Sequence, residues 1–297
     1  MSTIKPTLED VLAANRLFHD HLAKNGHYQK QPFYHPQNQQ RIKKILQQLQ
    51  QQTGGKRLLD VGCGTGFIID LASDYFENIV GVDANQQMLN CVQKKSHIEL
   101  VLAEAEDLPF AGQSFDVVTC HGVLHHIFDL SPVLLEIRRV IKPQGIVYID
   151  ESPNAYCFDA LKNLAISAEN SDLLKTVHAN VTNDKQRYLE HYNLEPKIVE
   201  SAMHQTYQQG GINADQLALL LKEKDFIDVQ CSYRWFLGEN KFDRATAVGI
   251  NNHLQTLLPL TRHLFKYIQC ISKASQNCLG RAPRVQGSVY KADNRVD

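Results

Sequence analysis

Three alternate glycines follow a short apolar run, and this spacing is suited to holding a ligand. The stretch reads LLDVGCGTG over residues 58–66, with glycine at positions 62, 64 and 66. A buried strand that leads through such glycines into a helix lets a ligand approach bare main chain at the carboxyl end of the strand, where open parallel sheets bind ligands. Asp60 adds a carboxylate within the same run. The alternative interpretation is a tight strand-to-helix turn without a ligand.

A second carboxylate, Asp83, ends the next apolar run, IVGVD. It follows Asp60 by 23 positions (83 minus 60), so a neighbouring strand would bring it to the same edge of the sheet, within reach of a ribose. An ionised carboxylate only accepts hydrogen bonds, which suits two adjacent sugar hydroxyls better than a phosphate. The glycine turn and Asp83 together predict a nucleoside-containing ligand.

Dinucleotide-binding proteins share both features, but the glycine spacing separates them from this sequence. Their pattern is GxGxxG, and a helix N-terminus holds the pyrophosphate. Here the spacing is GxGxG, the next residue is Phe67, and residues 58–93 contain no Arg or Lys to neutralise a diphosphate. NAD-dependent oxidoreduction is therefore disfavoured. Acidic residues at Asp60, Asp83 and Glu104 favour a ligand with an ammonium or sulfonium group.

With these residues in view, the sequence resembles the class I S-adenosylmethionine-dependent methyltransferases. Five segments match the family's motifs in order: LLDVGCGTG, VGVDANQQML, AEAEDLPF, SFDVVTCHGVLHHI and RRVIKPQGIVYIDE. The resemblance covers about residues 56–152 and, more loosely, residues 213–233. It implies a Rossmann-like α/β fold with a doubly wound, seven-stranded sheet. It also implies S-adenosylmethionine (SAM) as cofactor and S-adenosylhomocysteine (SAH) as product.

The same resemblance implies a set of cofactor contacts. The residues that would border the methionine part are Asp60, Gly62, Cys63 and Gly64, with His121 lining the methionyl side. The residues that would contact the adenosine are Asp83 at both ribose hydroxyls, Ala84 and Met88 flanking the adenine, and Glu104 and Ala105 at its edge. Glu104 departs from the family, in which Asp or Asn is more usual at this position.

Methyl transfer from a sulfonium needs an acceptor held in line, exclusion of water, and a base when the acceptor is an OH or NH group. His125 and His126 follow the fourth predicted strand and are the candidate bases. The alternative interpretation, in which the turn that carries these two histidines is purely structural, is favoured by the sequence. Glu151, at the tip of the fifth predicted strand, either orients an acceptor or caps a turn.

Aromatic residues follow Glu151 in a polar, helical region. Tyr156 and Tyr192 are candidates for the wall of a substrate pocket, although aromatics at such intervals more often belong to a helix core. Three histidines in the same region, His178, His191 and His204, are each 13 positions apart. This is far from a short metal-ligand spacing, so no metal site is expected.

Alternating apolar runs and helical stretches predict the elements that position these residues. The predicted strands are residues 57–61, 79–83, 98–103, 115–120, 145–150 and 226–233, with a further antiparallel strand at 288–291. One helix begins after a cap at Thr7, and another is capped by Ser131 and stops at Lys142-Pro143.

These elements divide the chain into four parts. The division is an N-terminal helical segment (1–52), a SAM-binding core (53–152), a helical lid or substrate insertion (153–212) and a region that completes the sheet (213–297). Residues 241–297 carry nine Lys or Arg and three Asp, and apolar residues recur between 254 and 271. This pattern predicts a basic amphipathic helix, either packed on the sheet or contacting anionic lipid, a lipid-linked acceptor or RNA.

Composition limits the classes of partner. The 297 residues, 43% of them hydrophobic, suffice for a full core, and a net charge of -1 gives no overall attraction to nucleic acid. Seven Cys, an odd number, favour free thiols in a reducing, cytoplasmic setting over a disulfide framework. We find no basic-then-apolar leader and no apolar run near the ~18 residues of a membrane helix.

The sequence thus predicts a SAM-dependent methyltransferase that acts on an O, N or C atom of a small organic acceptor, with hydrophobic or lipid-linked acceptors included. The alternatives are an RNA-directed methyltransferase and a SAM-binding partner protein that transfers no methyl group. Because the second alternative shares every binding motif, the sequence separates it poorly from an enzyme.

Overall fold

The structure, a computed structural model, describes residues 5–24, 32–159, 189–190, 194–236 and 265–276. The strands are β1 (Arg57–Val61), β2 (Asn78–Asp83), β3 (Ile98–Leu102), β4 (Phe115–His121), β5 (Ile141–Pro153), β6 (Phe226–Phe236) and β7 (Phe265–Ala274). They form one sheet in the order β3-β2-β1-β4-β5-β7-β6. β1 to β5 run parallel, whereas β7 is antiparallel to both β5 and β6. The predicted doubly wound, seven-stranded α/β fold is confirmed.

Helices cover both faces of the sheet. They are α1 (Leu8–Lys24), α2 (Pro36–Thr53), α3 (Phe67–Ala72), α4 (Gln86–Leu89), α5 (Leu130–Val140), α6 (Pro196–Ala202), α7 (His204–Tyr207) and α8 (Ala214–Glu223). Short 3-10 turns occur at Pro32–Tyr34 and Leu124–His126, and residues 155–159 are helical. One core joins the sheet to α2 and α3, and the other joins it to α5 and α8.

The first helix forms as its cap predicts. The Thr7 backbone N–H donates to Asp10 Oδ2 at 2.9 Å, and the Asp10 N–H donates to Thr7 Oγ1 at 3.2 Å. This reciprocal pair satisfies two free N–H groups at the helix start. The apolar stripe of α1, Val11, Ala14, Phe18 and Leu22, is buried. Part of it packs against Met88 and α6, which attaches α1 to the rest of the molecule.

The boundaries of α5 differ from the prediction. Its N-cap is Asp129, whose Oδ1 accepts from the Ser131 N–H at 2.9 Å, so Ser131 is inside the helix rather than its cap. The helix ends at Val140, before the predicted stop at Lys142-Pro143. The reason is that Ile141 already pairs with Phe115 of β4, so the chain becomes extended without a loop.

The predicted basic amphipathic helix is wrong where the structure describes it. Residues 265–271 of that segment lie in strand β7, which fills the space between β5 and β6 and pairs with both. β5 and β6 both pair with β7 within residues 267–273, and the hydrogen bonds from these two strands outweigh its helical apolar spacing. Residues 254–264, and the strand predicted at 288–291, lie outside the described residues.

The expectation of unpaired thiols is wrong for one pair of cysteines. Cys231 and Cys270 are partners in the β6–β7 register, with Cα atoms 4.2 Å apart, and form a disulfide. The register of these two strands accounts for the bond, and that register is not visible in the cysteine spacing. Cys63, Cys91, Cys120 and Cys157 are free.

None of the helices in the described part of the chain has both the length and the apolar character needed to cross a membrane.

Candidate active site

A cavity of about 280 Å³ opens at the carboxyl ends of the parallel strands. Its volume lies near the lower end of the range for small-molecule pockets, which begins at roughly 300 Å³. The predicted cofactor residues that line it are Asp60, Gly62, Cys63 and Gly64 at the glycine turn, Asp83 and Ala84 beyond β2, Glu104 and Ala105 beyond β3, and His121 at the end of β4. The fold therefore brings together residues that are up to 61 positions apart (121 minus 60).

Met88 does not line this cavity, unlike the other predicted cofactor contacts. Its side chain is fully buried in the apolar cluster that joins α1 to α6. Phe18 and Leu22 of α1 occupy the surroundings of Met88. The adenine contact that the resemblance implies for Met88 stays a prediction.

Asp83 joins the end of β2 to the glycine turn. Its Oδ2 accepts from the Gly64 backbone N–H at 2.8 Å, and its Oδ1 accepts from the Asn85 N–H at 2.8 Å. Burial raises the pKa of Asp83, and the nearby His19 and these two N–H groups partly counter this rise. Because each carboxylate oxygen accepts more than one hydrogen bond, the side chain retains the capacity to bind a ligand diol.

The glycine turn needs glycine for its backbone and for its packing. Gly62 and Gly64 have φ angles of 67° and 54°, in the left-handed region that side chains disfavour. A Cβ at position 62 would lie 2.4 Å from Cγ2 of Val123 in the loop after β4. Glycine therefore lets the turn contact this loop while its main chain borders the cavity.

Asp60 is buried beneath the turn, with 2% of the residue exposed. Its Oδ1 accepts from the Thr119 hydroxyl at 2.7 Å. Burial, with a smaller effect from the nearby Asp83, raises the pKa of Asp60 to about 7, although the hydrogen bond from Thr119 acts in the opposite direction. The site therefore disfavours a second negative charge, and a cationic ligand group would favour ionisation of Asp60.

This raised pKa predicts a pH dependence of stability. The folded state holds the Asp60 proton up to about pH 7, whereas the unfolded chain releases it near 3.8. The contribution of this group is thus complete below about pH 4 and is lost as the pH rises towards 7. We expect Asp60→Asn, which keeps an acceptor for Thr119, to reduce the fall in the free energy of unfolding between pH 5 and 7. Urea titrations test this, and equal pH slopes in the two proteins would contradict it.

His121 is held at the end of β4 between aromatic rings. Its ring centroid lies 5.6 Å from that of Phe33 and 5.2 Å from that of Phe67. Burial lowers the pKa of His121 to about 4, although the nearby Asp150 acts in the opposite direction. Its imidazole is therefore neutral at physiological pH and offers a hydrogen bond without charge at the cavity wall.

An ion pair between a half-buried arginine and a buried aspartate supports the neighbouring strand β5. Arg41 of α2 lies 2.8 Å from Oδ2 of Asp150, which also accepts from the Tyr148 hydroxyl. The other oxygen of Asp150 accepts from the Glu151 N–H at 2.9 Å. This network fixes the end of β5 next to the cavity, where Glu151 adopts a φ of 57° and lines the wall.

His125 and His126 both line the cavity in the loop after β4. The Nδ1 of His126 lies 2.6 Å from the Ala202 carbonyl, so this nitrogen donates and ties the loop to α6. Burial, followed by the neighbouring His125 and His19, lowers the pKa of His126 well below its ordinary value. His126 therefore joins the loop after β4 to α6, and its predicted part in catalysis stays a prediction.

Helix α1 covers the cavity, a role that sequence reasoning missed. Asn15 Nδ2 donates to the His126 carbonyl at 2.9 Å, and Arg16 pairs with Glu104 at 3.1 Å. On the β2 side, Asn85 Nδ2 donates to Oδ1 of Asp20 at 2.9 Å. The available sequence signal was the group of polar residues flanking the apolar stripe of α1.

The predicted substrate residues have different surroundings. Glu151 lines the cavity, whereas Tyr156 donates its hydroxyl to Oδ2 of Asp215 at 2.6 Å and is absent from the wall. Tyr192 lies outside the described residues, as do His178 and His191. In the ranges that the structure describes, no group of three His, Cys, Asp or Glu side chains is arranged to hold a metal ion.

Sequence comparison finds similar proteins for the segment that carries most of this site. Residues 59–149 match the family described as "Methyltransferase domain". The demethylmenaquinone methyltransferase of Lactobacillus johnsonii is 41% identical over 108 residues, 33% of this chain and 44% of that protein. The ubiquinone biosynthesis O-methyltransferase of Pseudomonas aeruginosa is 35% identical over 116 residues, 35% of this chain and 49% of that protein. The chain thus spans less than half the length of these relatives.

Solved structures with the same fold include methyltransferases. A SAM-dependent methyltransferase from Archaeoglobus fulgidus has a TM-score of 0.50 at 18% identity, over 79% of this chain and 94% of its own. The plantazolicin methyltransferase BpumL, in complex with SAH, has a TM-score of 0.52 at 12% identity, over 90% of this chain and 97% of its own. The matched segment is thus similar to methyltransferase domains, and the described sheet has the fold of these solved structures.

Proposed function

We propose that this chain transfers a methyl group from SAM to an O, N or C atom of a small organic acceptor. The observation that carries the proposal is a single cavity bordered by Asp83, the glycine turn and the loop after β4. Two relatives are named for demethylmenaquinone and for ubiquinone biosynthesis, and these names support a small-molecule acceptor.

The residues at the cavity fit the proposed cofactor. Asp83 would accept from both ribose hydroxyls while keeping its bonds to Gly64 and Asn85. The bare main chain at Gly62 and Gly64 would border the methionine part, beside the neutral His121. Asp60 and Asp83 offer carboxylates towards a cationic ligand. When bound, SAM would supply an activated methyl group.

The surrounding elements would position the acceptor and exclude water. Helix α1 closes one side of the cavity through Asn15 and Arg16, and aromatic rings of Phe33 and Phe158 add apolar walls. Such closure holds the reactants together and removes competing water. For a hydroxyl or amine acceptor, His125 is the favoured proton acceptor, because burial lowers the pKa of His126 well below its ordinary value and so disfavours its protonation.

The proposal is tested by detecting SAH. The purified chain is incubated with SAM and fractions of a small-molecule extract, and SAH and methylated products are quantified by mass spectrometry. We expect SAH formation that depends on particular fractions and is lost in Asp83→Ala. Binding of SAH without fraction-dependent turnover would instead favour a cofactor-binding protein that transfers no methyl group.

A further inference from the structure

Three residues lining the cavity each carry a buried polar atom that has no hydrogen-bond partner among the described residues. The atoms are Oδ1 of Asn15, Nε2 of His121 and Oγ1 of Thr206. An unsatisfied buried polar group costs about 1–3 kcal/mol, and native structures pair nearly all such groups. A polar ligand in the cavity accounts for all three atoms. The proposed cofactor uses His121, which leaves Asn15 and Thr206 unassigned.

Asn15 and Thr206 approach the loop after β4 from two different helices. Asn15 of α1 donates its Nδ2 to the His126 carbonyl at 2.9 Å, so its amide is held and its oxygen remains as an acceptor. Thr206 lies in α7, where the adjacent Gln205 donates its Nε2 to the Ile127 carbonyl at 2.8 Å. Only 8% of Thr206 is exposed. Both residues thus lie next to the loop that carries His125, Asn15 through its own side chain and Thr206 through its neighbour Gln205.

The charges on the wall favour an uncharged ligand at this end. The acidic residues that line the cavity are Asp60, Asp83, Glu104, Glu106 and Glu151. Among the described lining residues Arg16 is the one Arg or Lys, and Glu104 already pairs with it at 3.1 Å. An anionic acceptor would therefore be desolvated without a cationic partner, which is costly.

We propose that Asn15 and Thr206 form the acceptor subsite, and that the acceptor is an uncharged ring compound whose O–H or N–H group donates a hydrogen bond there. The inference rests on the proposed function and adds the class of substrate. The ring is inferred from Phe33, Phe158 and Tyr207, whose aromatic side chains line the same cavity. Aromatic walls of this kind bind flat apolar bodies, while a few polar groups set their orientation.

Three related probes test the substrate class on the full chain loaded with SAH. Methyl 4-hydroxybenzoate is uncharged and has a hydroxyl, 4-hydroxybenzoate adds a negative charge, and methyl benzoate lacks the hydroxyl. We expect calorimetry to give a Kd for methyl 4-hydroxybenzoate about tenfold lower than for either other probe. Equal or tighter binding of the anion, or no binding of any probe to the SAH-loaded protein, would overturn the inference.

Variants of Thr206 test the subsite itself. Thr206→Val keeps the shape and removes the hydroxyl, so it should abolish the preference for methyl 4-hydroxybenzoate over methyl benzoate. Thr206→Ser should retain that preference. Ser201→Ala is the matched control, because Ser201 is a buried hydroxyl residue of α6 that does not line the cavity. A preference unchanged in Thr206→Val would overturn the assignment.

Asn15 provides a second variant, and SAH binding separates the two proposals. Asn15→Leu should also reduce the preference for methyl 4-hydroxybenzoate over methyl benzoate. If this variant is unstable because the contact with His126 is lost, Thr206→Val and Thr206→Ser alone decide whether the subsite exists. Each variant is first titrated with SAH alone. Failure of the wild-type protein to bind SAH would refute the proposed function. Normal SAH binding, with methyl 4-hydroxybenzoate binding no more tightly than the other two probes, would refute only the acceptor subsite.

Discussion

Asp83→Ala is expected to weaken SAH binding by about 100-fold. A hydrogen bond to a charged group contributes about 1.5–3 kcal/mol, and the carboxylate is proposed to bind two ribose hydroxyls, so a loss of about 3 kcal/mol is a conservative expectation. The substitution also removes the acceptor of the Gly64 and Asn85 N–H groups, which order the glycine turn. Isothermal titration calorimetry with SAH measures the effect directly.

Two further proteins make this test specific. Asp83→Asn keeps the volume but presents an NH2 group to one of the two backbone N–H donors, so it should bind SAH almost as poorly as the alanine variant. Asp74→Ala is the control, since the Asp74 side chain is 74% exposed and lies 4.0 Å from Lys43. Wild-type affinity in Asp83→Ala would remove Asp83 from the site.

Arg41→Met is expected to lower the free energy of unfolding by about 3–5 kcal/mol. The Asp150 side chain is 1% exposed, and the substitution would leave its carboxylate buried without the guanidinium that lies 2.8 Å away. Removing one partner of a buried ion pair is costly because the remaining charge is uncompensated. Thermal and urea unfolding measure the change, and a fall in Tm of roughly 10 °C is expected.

A double variant shows whether the uncompensated charge is the cause. Adding Asp150→Asn to Arg41→Met removes that charge and should recover part of the lost stability. Lys43→Met in the same helix is the control, because its partner Asp74 is exposed and surface pairs contribute about 0–1 kcal/mol. If the two losses simply add in the double variant, the ion pair is not the source of the effect.

The parallel half of the sheet could be predicted because its strands are buried on both faces. β1 to β4 begin and end within one residue of the predicted ranges, since continuous apolar runs mark such strands. β7 could not be predicted in this way. In its sequence, FKYIQCISKA, apolar residues recur at helical spacing. Because the polar residues Gln269 and Ser272 are also buried, the strand shows no alternation of apolar and polar residues that would have identified it. Pairing with two strands decided its structure.

The candidate site also has parts that the sequence predicts and parts that it does not. Its glycine turn and Asp83 lie in local motifs, so the sequence alone located them. The contributions of α1 depend on contacts between residues far apart in the chain, such as Asn15 with His126 and Arg16 with Glu104. No local spacing predicts these contacts. The burial of Met88 against α1 is a contact of the same long-range kind.

The position of β7 has a consequence for biosynthesis. β6 leaves the ribosome before β7, yet β7 lies between β5 and β6 in the finished sheet. Until residue 265 has been translated, the nascent chain exposes β5 as an open edge, and β6 lacks the neighbour to which it bonds. Open edges invite pairing with other chains. Protection of this intermediate by a chaperone would therefore be most valuable late in translation.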